Sequence, residues 1–266
     1  MQEYFGLTMN PFTRELAPLQ LFSSQQFQEL LARLRYIVKH RALGLVTGEV
    51  GSGKSTAIRA LAHGLDHTRN PLFYLSDSSL DPRGFYREVL TSLGLTPCFR
   101  KADARRQFDA ALLEAYRNHG KAPVIVIDEA HLLPPAMVQE VRFITSFQMD
   151  SLSPFSLILV GQPELQNTLR LRAFEAVRQH IQVRFHLTGL TEPETRSYIE
   201  HAMKIAGAQR PVFSDTAIHL IHSHARGIPR LINNLCTACL LDVCAKEGRL
   251  VEEENVRRVV LDLQEA

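Results

Sequence analysis

Apolar residues along this chain occur in two textures. Short unbroken runs form the first: Leu43-Gly-Leu-Val-Thr, Leu72-Phe-Tyr-Leu, Pro123-Val-Ile-Val-Ile-Asp, Phe155-Ser-Leu-Ile-Leu-Val-Gly and Val183-Arg-Phe-His-Leu. Each is too short for a helix and predicts a buried strand. Between them the period lengthens. Phe27, Leu30, Leu31, Leu34, Ile37 and Val38 recur at three- and four-residue spacing and predict a helix over Gln25 to His40. Stretches from about Lys54 to Leu65, Pro82 to Leu93 and Ala104 to Asn118 read as helices too. Strands alternating with helices predict a parallel sheet with helices on both faces. After Leu190 the texture is helical throughout, over Glu192 to Ala206, Ser214 to His224, Pro229 to Ala245 and Glu252 to Leu263. Ser214 suits an N-cap and Pro229 a first helical turn. Residues 1–25, broken by Pro11 and Pro18, read as irregular. The expected organisation is an α/β core over 1–190, with 1–25 as its N-terminal segment, followed by a helical domain over 191–266.

Composition narrows the class. With 45% apolar and 22% charged residues among 266, the chain is globular rather than disordered or fibrous. Lys and Arg number 30 against 28 Asp and Glu, so any nucleic-acid role must come from local clustering. No stretch approaches the roughly 20 apolar residues of a membrane span. Met1-Gln-Glu-Tyr-Phe-Gly lacks the features of a signal peptide, and a soluble cytoplasmic protein is expected. Cys236, Cys239 and Cys244 lie on a helical apolar period, with Cys98 remote and no His at ligand spacing. Buried small hydrophobes are expected there, not zinc.

The chemistry lies where apolar runs end. Gly48-Glu49-Val50-Gly51-Ser52-Gly53-Lys54-Ser55 matches the phosphate-binding pattern G-x-x-x-x-G-K-[ST], between a predicted strand and a predicted helix that continues with Thr56. Its glycines let backbone N–H groups turn inward around phosphates, and the helix N-terminus adds positive dipole. Lys54 is expected to reach the β- and γ-phosphates of ATP, and Ser55 to ligate Mg²⁺. The third run ends in Asp128-Glu129. Asp128 is placed to hold Mg²⁺ and Glu129 to orient or deprotonate the attacking water, which makes hydrolysis the expected activity. Gln162, ending the next run, is a candidate sensor of the γ-phosphate. Arg178 or Arg184 is a candidate arginine finger toward a neighbouring subunit's nucleotide, and Arg230, in Gly227-Ile-Pro229-Arg230, a candidate to reach the γ-phosphate from the helical domain.

Together these residues resemble the AAA+ ATPases, a P-loop NTPase α/β fold with a C-terminal all-helical lid. Phe5-Gly-Leu, Asn10-Pro11-Phe12, Thr47-Gly-Glu-Val-Gly, Asp128-Glu-Ala-His-Leu-Leu, Val160-Gly-Gln-Pro-Glu-Leu and Gly227-Ile-Pro-Arg-Leu-Ile-Asn resemble the ExeA-like group, which is similar to the TnsC, TniB and IstB regulators of DDE transposition. The resemblance implies ATP and Mg²⁺ as cofactors, with Asn10, Pro11 and Phe12 near the adenine. It also implies a homo-oligomeric ring or helical filament on double-stranded DNA that recruits a DDE transposase, with or without a target-selection adaptor. Phe99-Arg100-Lys101-Ala-Asp103-Ala-Arg105-Arg106 falls where such relatives line their central channel. With Arg83 and Arg87 it is the expected set of phosphate-backbone contacts. The alternatives are an ExeA-type secretion or envelope-assembly ATPase and a helicase-loader-like adaptor. ExeA-like ATPases continue past the lid into a membrane anchor and a wall-binding module. Because this sequence stops after the lid, a role other than secretion is expected.

Overall fold

The computed structural model describes residues 1–266 apart from Arg14, Ser78, Ser79, Met149, Asp150 and Ala266. The chain divides into two compact units. One comprises Gln28–Gly48 and Lys54–Leu187, the other Met1–Phe27, Glu49–Gly53 and Thr188–Ala266.

All five apolar runs form strands: β1 (Leu43–Gly48), β2 (Leu72–Leu75), β3 (Val124–Ile127), β4 (Ser156–Gly161) and β5 (Val183–Leu187). They make one sheet in the order β2-β3-β4-β1-β5, each neighbouring pair parallel. The three inner strands are buried along their whole length, which is why they read as unbroken apolar runs, while the edge strands β2 and β5 keep exposed positions such as Tyr74 and Arg184. Register aligns Thr47 of β1 with Gly161 of β4, and Leu159 of β4 with Ile127 of β3. The last residues of β1, β3 and β4 therefore reach one carboxyl edge, where open α/β sheets bind ligands.

The predicted helices form at Gln25–His40, Lys54–His63, Pro82–Ser92 and Lys101–His119. The last begins at Lys101 rather than Ala104, with Arg100 as N-cap. Three further helices form at Pro135–Thr145, Glu164–Arg170 and Glu175–His180, the last two too short to carry a helical period of their own. Pro135–Thr145 buries Met137, Val138, Val141 and Ile144 in the core beneath the sheet.

The second unit is built on helices Glu192–Ile205, Asp215–Ala225, Pro229–Ala245 and Glu253–Glu265. Thr191 and Glu194 close a capping box, and the Ser214 hydroxyl accepts the Ala217 N–H at 3.2 Å. The N-terminal residues, expected with the core, pack here instead. Leu7 and Phe12 are buried in this unit's apolar cluster, Thr8 donates its N–H to the Ala206 carbonyl at 2.8 Å, and Phe12 meets Phe213 edge-on at 6.3 Å. A short helix, Gln2–Phe5, and a 3₁₀ turn, Pro18–Gln20, stand in the segment read as irregular. Cys236 and Cys239 lie in the same cluster, and burial pushes the first thiol well up and the second to about 12. Among the described residues no group of three His, Cys, Asp or Glu side chains gathers as a metal site, and no helix is long and apolar enough to cross a membrane.

One ion cluster ties two of these helices together. Asp242 accepts from Asn255 at 2.9 Å and pairs with Lys246 at 2.7 Å and Arg258 at 2.9 Å. Partial burial alone would raise its pKa, but those hydrogen bonds outweigh it and hold the carboxyl at about 2. A depressed carboxyl stabilises the fold above its ordinary pKa and loses that contribution as pH falls through the folded value. Asp242→Asn should therefore flatten the fall in melting temperature between about pH 4 and about pH 2, read by thermal melts across that range.

Candidate functional site

The helix Lys54–His63 starts directly after the glycine turn that follows β1. Lys54 is 8% exposed and donates from Nζ to the Gly48 carbonyl at 2.7 Å, so its ammonium lies at the turn rather than in solvent. Gly51 and Gly53 have φ of +82° and +108°, conformations side chains rarely adopt. A Cβ on Gly51 would also stand 2.4 Å from the Cβ of Arg230. The turn Glu49–Gly53 belongs to the second unit, where the Arg230 N–H donates to the Gly51 carbonyl at 3.3 Å. Pro229 opens the helix that carries Arg230. Within the turn the Ser52 hydroxyl is buried without a hydrogen-bond partner among the described residues, while Glu49 and Val50 are exposed. Thr56 is half-buried behind Ser55.

At the end of β3, Asp128 is 4% exposed and held by three donors. The Ser55 hydroxyl donates to its Oδ2 at 3.1 Å, the Tyr74 hydroxyl donates to the same oxygen, and the Glu129 N–H donates to Oδ1 at 2.8 Å. Burial, then the bond to Asp128, pushes the Tyr74 phenol up to about 12, so it remains a donor at neutral pH. Ser55 and Asp128 thus bring two hard oxygen ligands together, the donor set Mg²⁺ takes. With the buried Lys54 ammonium, these residues fit a magnesium-bound nucleoside triphosphate. The sequence alone does not reveal Tyr74, because its run marks only a strand and the pairing of β2 with β3 has no local signature.

Glu129 takes a left-handed backbone conformation, φ +51°, and its side chain is half-exposed. A non-glycine residue held there stores strain of about 1–3 kcal/mol, a feature that concentrates at functional sites. His131 Nδ1 lies 3.5 Å from Glu129 Oε2, and His131 Nε2 lies 2.9 Å from the side-chain nitrogen of Gln162 at the end of β4. Residue type and position single out Glu129 and Gln162 in the sequence, but not the imidazole between them.

The other expected residues divide. The Arg184 guanidinium donates to the backbone carbonyl of Arg178, closing the C-terminal end of helix Glu175–His180, and Arg33 donates to the Arg184 carbonyl at 2.7 Å. Arg184 is thereby tied to its own fold, whereas Arg178 projects, exposed, from that helix's last turn. The Asn10 side chain accepts the Phe12 N–H at 3.1 Å, and Pro11 and Phe12 are buried, so this trio is a packed turn.

The basic patch carries less free charge than its sequence suggests. Lys101 donates to Glu140 at 2.7 Å, Arg105 lies 3.9 Å from the same carboxylate, and Arg106 pairs with Asp103 at 3.0 Å. Glu140 is 5% exposed and also accepts the Tyr86 hydroxyl at 2.7 Å. Burial opposes its ionisation, but the bonds from Lys101 and Tyr86 prevail and hold its pKa below the usual value. This acid arrives from helix Pro135–Thr145, remote in sequence, which is why a local charge count misses it. Arg87 pairs with Glu88 at 3.4 Å. Among the described residues no acid pairs with Arg83 or Arg100. Arg83 stacks over Phe99, 4.2 Å from the ring centre, and Phe99 is 80% exposed.

Residues 25–169 match the family model described as AAA domain. Over 257 residues the chain is 32% identical to general secretion pathway protein A of Aeromonas hydrophila, covering 96% of this chain and 47% of that protein. It thus spans about half the length of this curated relative. Among solved structures it is similar to Cdc6p from Pyrobaculum aerophilum, with a TM-score of 0.70 at 16% identity over 95% of this chain and 70% of that one. It is also similar to the ORC1 protein of Aeropyrum pernix, solved in complex with DNA, with a TM-score of 0.69 at 15% identity over 95% of this chain and 68% of that one. At such identities the two structures speak for the fold alone. The family match covers more than half of the chain and takes in the glycine turn, the Asp128-Glu129 strand end and Gln162; this chain belongs to the AAA domain family and is an AAA+ ATPase with the P-loop fold.

Proposed function

We propose that this chain is a Mg²⁺-dependent ATPase that assembles as a ring or filament on duplex DNA and regulates transposition by recruiting a DDE transposase to its target. The observation that carries the catalytic half is the meeting of the Ser55 hydroxyl, next in sequence to the buried Lys54, with the Asp128 carboxylate at the end of β3. In this reading the glycine turn and Lys54 would hold the β- and γ-phosphates, and Ser55 and Asp128 would hold Mg²⁺. The ion supplies neutralisation of charge developing on the phosphate oxygens. Glu129 orients water and accepts its proton, and Gln162 fixes the water's other side. Arg178 of a second copy is the candidate finger.

The DNA half is supported by Arg83 and Arg100, which no described acid pairs, and by the exposed Phe99 under Arg83. With two such cations rather than four, the slope of log K against log salt should be about −2 per chain. Lys54→Ala should lower turnover by about 10²–10³-fold and abolish ATP-dependent assembly on DNA. Both are measured by phosphate release and by titrating labelled duplex at rising salt. A salt-independent, ATP-independent DNA signal would remove the DNA half of the proposal. The 32% identity to a general secretion pathway protein favours a second reading, an ATPase that remodels a protein partner in the cell envelope. That reading expects full ATP turnover with no duplex affinity.

A further inference from the structure

We propose that His131 is a positioning residue that couples Gln162, at the end of β4, to the Glu129 carboxylate, at the end of β3. The proposal rests on the reading of Glu129 as the base. His131 sits in the 3₁₀ turn Ala130–Leu132 with its side chain 10% exposed, packed against the end of β4. The approach is close: a Cβ on Gly161 would stand 3.2 Å from the His131 backbone nitrogen and 3.0 Å from Leu165 Cδ2. Glycine at the last position of β4 is what lets the turn come this near.

The ring contacts define a direction. The Gln162 amide nitrogen, 2.9 Å from His131 Nε2, carries protons to donate, so Nε2 accepts. The neutral imidazole then bears its proton on Nδ1, which faces Glu129 Oε2 at 3.5 Å. The Gln162 backbone N–H also lies 3.4 Å from Nδ1, but one nitrogen cannot both accept there and donate to Glu129, and the shorter Nε2 contact decides. The ring thus stands between the two, within hydrogen-bond distance of Gln162 and ion-pair distance of the carboxylate. Glu129 needs such a guide because its left-handed backbone and half-exposed side chain leave it few other restraints. Gln162 anchored against substrate would hold Glu129 at a fixed place through the ring. Without the ring, the carboxylate would sweep a wider arc.

The test uses the full chain with Mg-ATP and the variants His131→Ala, His131→Asn, Gln162→Ala, the double His131→Ala/Gln162→Ala and Glu129→Gln, each checked for a wild-type melting temperature and ATP affinity. His131→Ala should lower kcat by about 10–100-fold with KM little changed, the cost of a misplaced group. His131→Asn, whose amide can donate from near the Nδ1 position, should recover most of the loss. The double variant should be no slower than the worse single one, because both act through one set of contacts. An unchanged kcat in His131→Ala, or single losses that multiply in the double variant, would overturn the coupling while Glu129→Gln remained inactive. Wild-type turnover in Glu129→Gln would instead overturn the assignment of the base, and the coupling with it.

Discussion

Arg178→Ala lowers kcat by about 10³-fold or more while each chain's affinity for ATP stays near the wild-type value. The expectation comes from how the two candidate arginines are held. Arg184 uses its guanidinium on the carbonyl of Arg178, and its own carbonyl accepts from Arg33, so its removal should loosen the end of helix Glu175–His180 more than it slows chemistry. Arg178 is exposed in the last turn of the same helix, where a cation also suits the dipole. A finger acts on the nucleotide of the adjacent copy, so the defect should be rescued in mixtures. Arg178→Ala chains keep an intact glycine turn and Glu129, and Glu129→Gln chains bind ATP and keep an intact Arg178. Mixed assemblies should regain turnover that neither variant has alone. Loss without rescue, and equal in dilute and concentrated protein, would place Arg178 among structural residues.

Glu129→Gln is the second large effect. The amide keeps the size of the carboxylate and its reach toward His131 but accepts no proton, so kcat should fall by about 10²–10⁴-fold with ATP binding retained. Asp128→Asn should behave differently. Asp128 takes hydrogen bonds from Ser55, Tyr74 and the Glu129 N–H, and under the proposed role as an Mg²⁺ ligand its change should raise the Mg²⁺ concentration needed for half-maximal turnover. Steady-state phosphate release over a magnesium series separates the two neighbours. If the E129Q chain also released DNA at the wild-type rate in ATP, hydrolysis would not be what ends the assembly.

Much of this site is legible in the amino-acid sequence itself. The runs that form β1, β3 and β4 are apolar because those strands are buried on both faces, and the glycine turn and Asp128-Glu129 announce themselves by residue type and position. Parallel strands of matched register then bring their ends to one edge, which is why Ser55 and Asp128 meet across 73 positions of sequence. Strand order has no local signature, so nothing near Tyr74 in the sequence points to Asp128, and nothing near His131 points to Gln162. The same holds for Glu140, whose one carboxylate pairs with Lys101 and Arg105 and offsets part of the charge expected of the basic patch. In the N-terminal segment the local signal is its prolines, which mark breaks but not packing partners. Its place is decided by the burial of Leu7 and Phe12 among the C-terminal helices, a long-range contact.

The most direct measurement is the identity of nucleotide held by the protein after one turnover. Labelled ATP mixed with excess chain and Mg²⁺, then quenched in acid over a time course, should yield ADP and phosphate from the wild type. The Glu129→Gln chain, carrying the same amount of bound nucleotide, should yield intact ATP. Equal ADP from both chains, or no nucleotide bound by either, would contradict the account that one sheet edge grips the triphosphate with Lys54, Ser55 and Asp128 and cleaves it through Glu129.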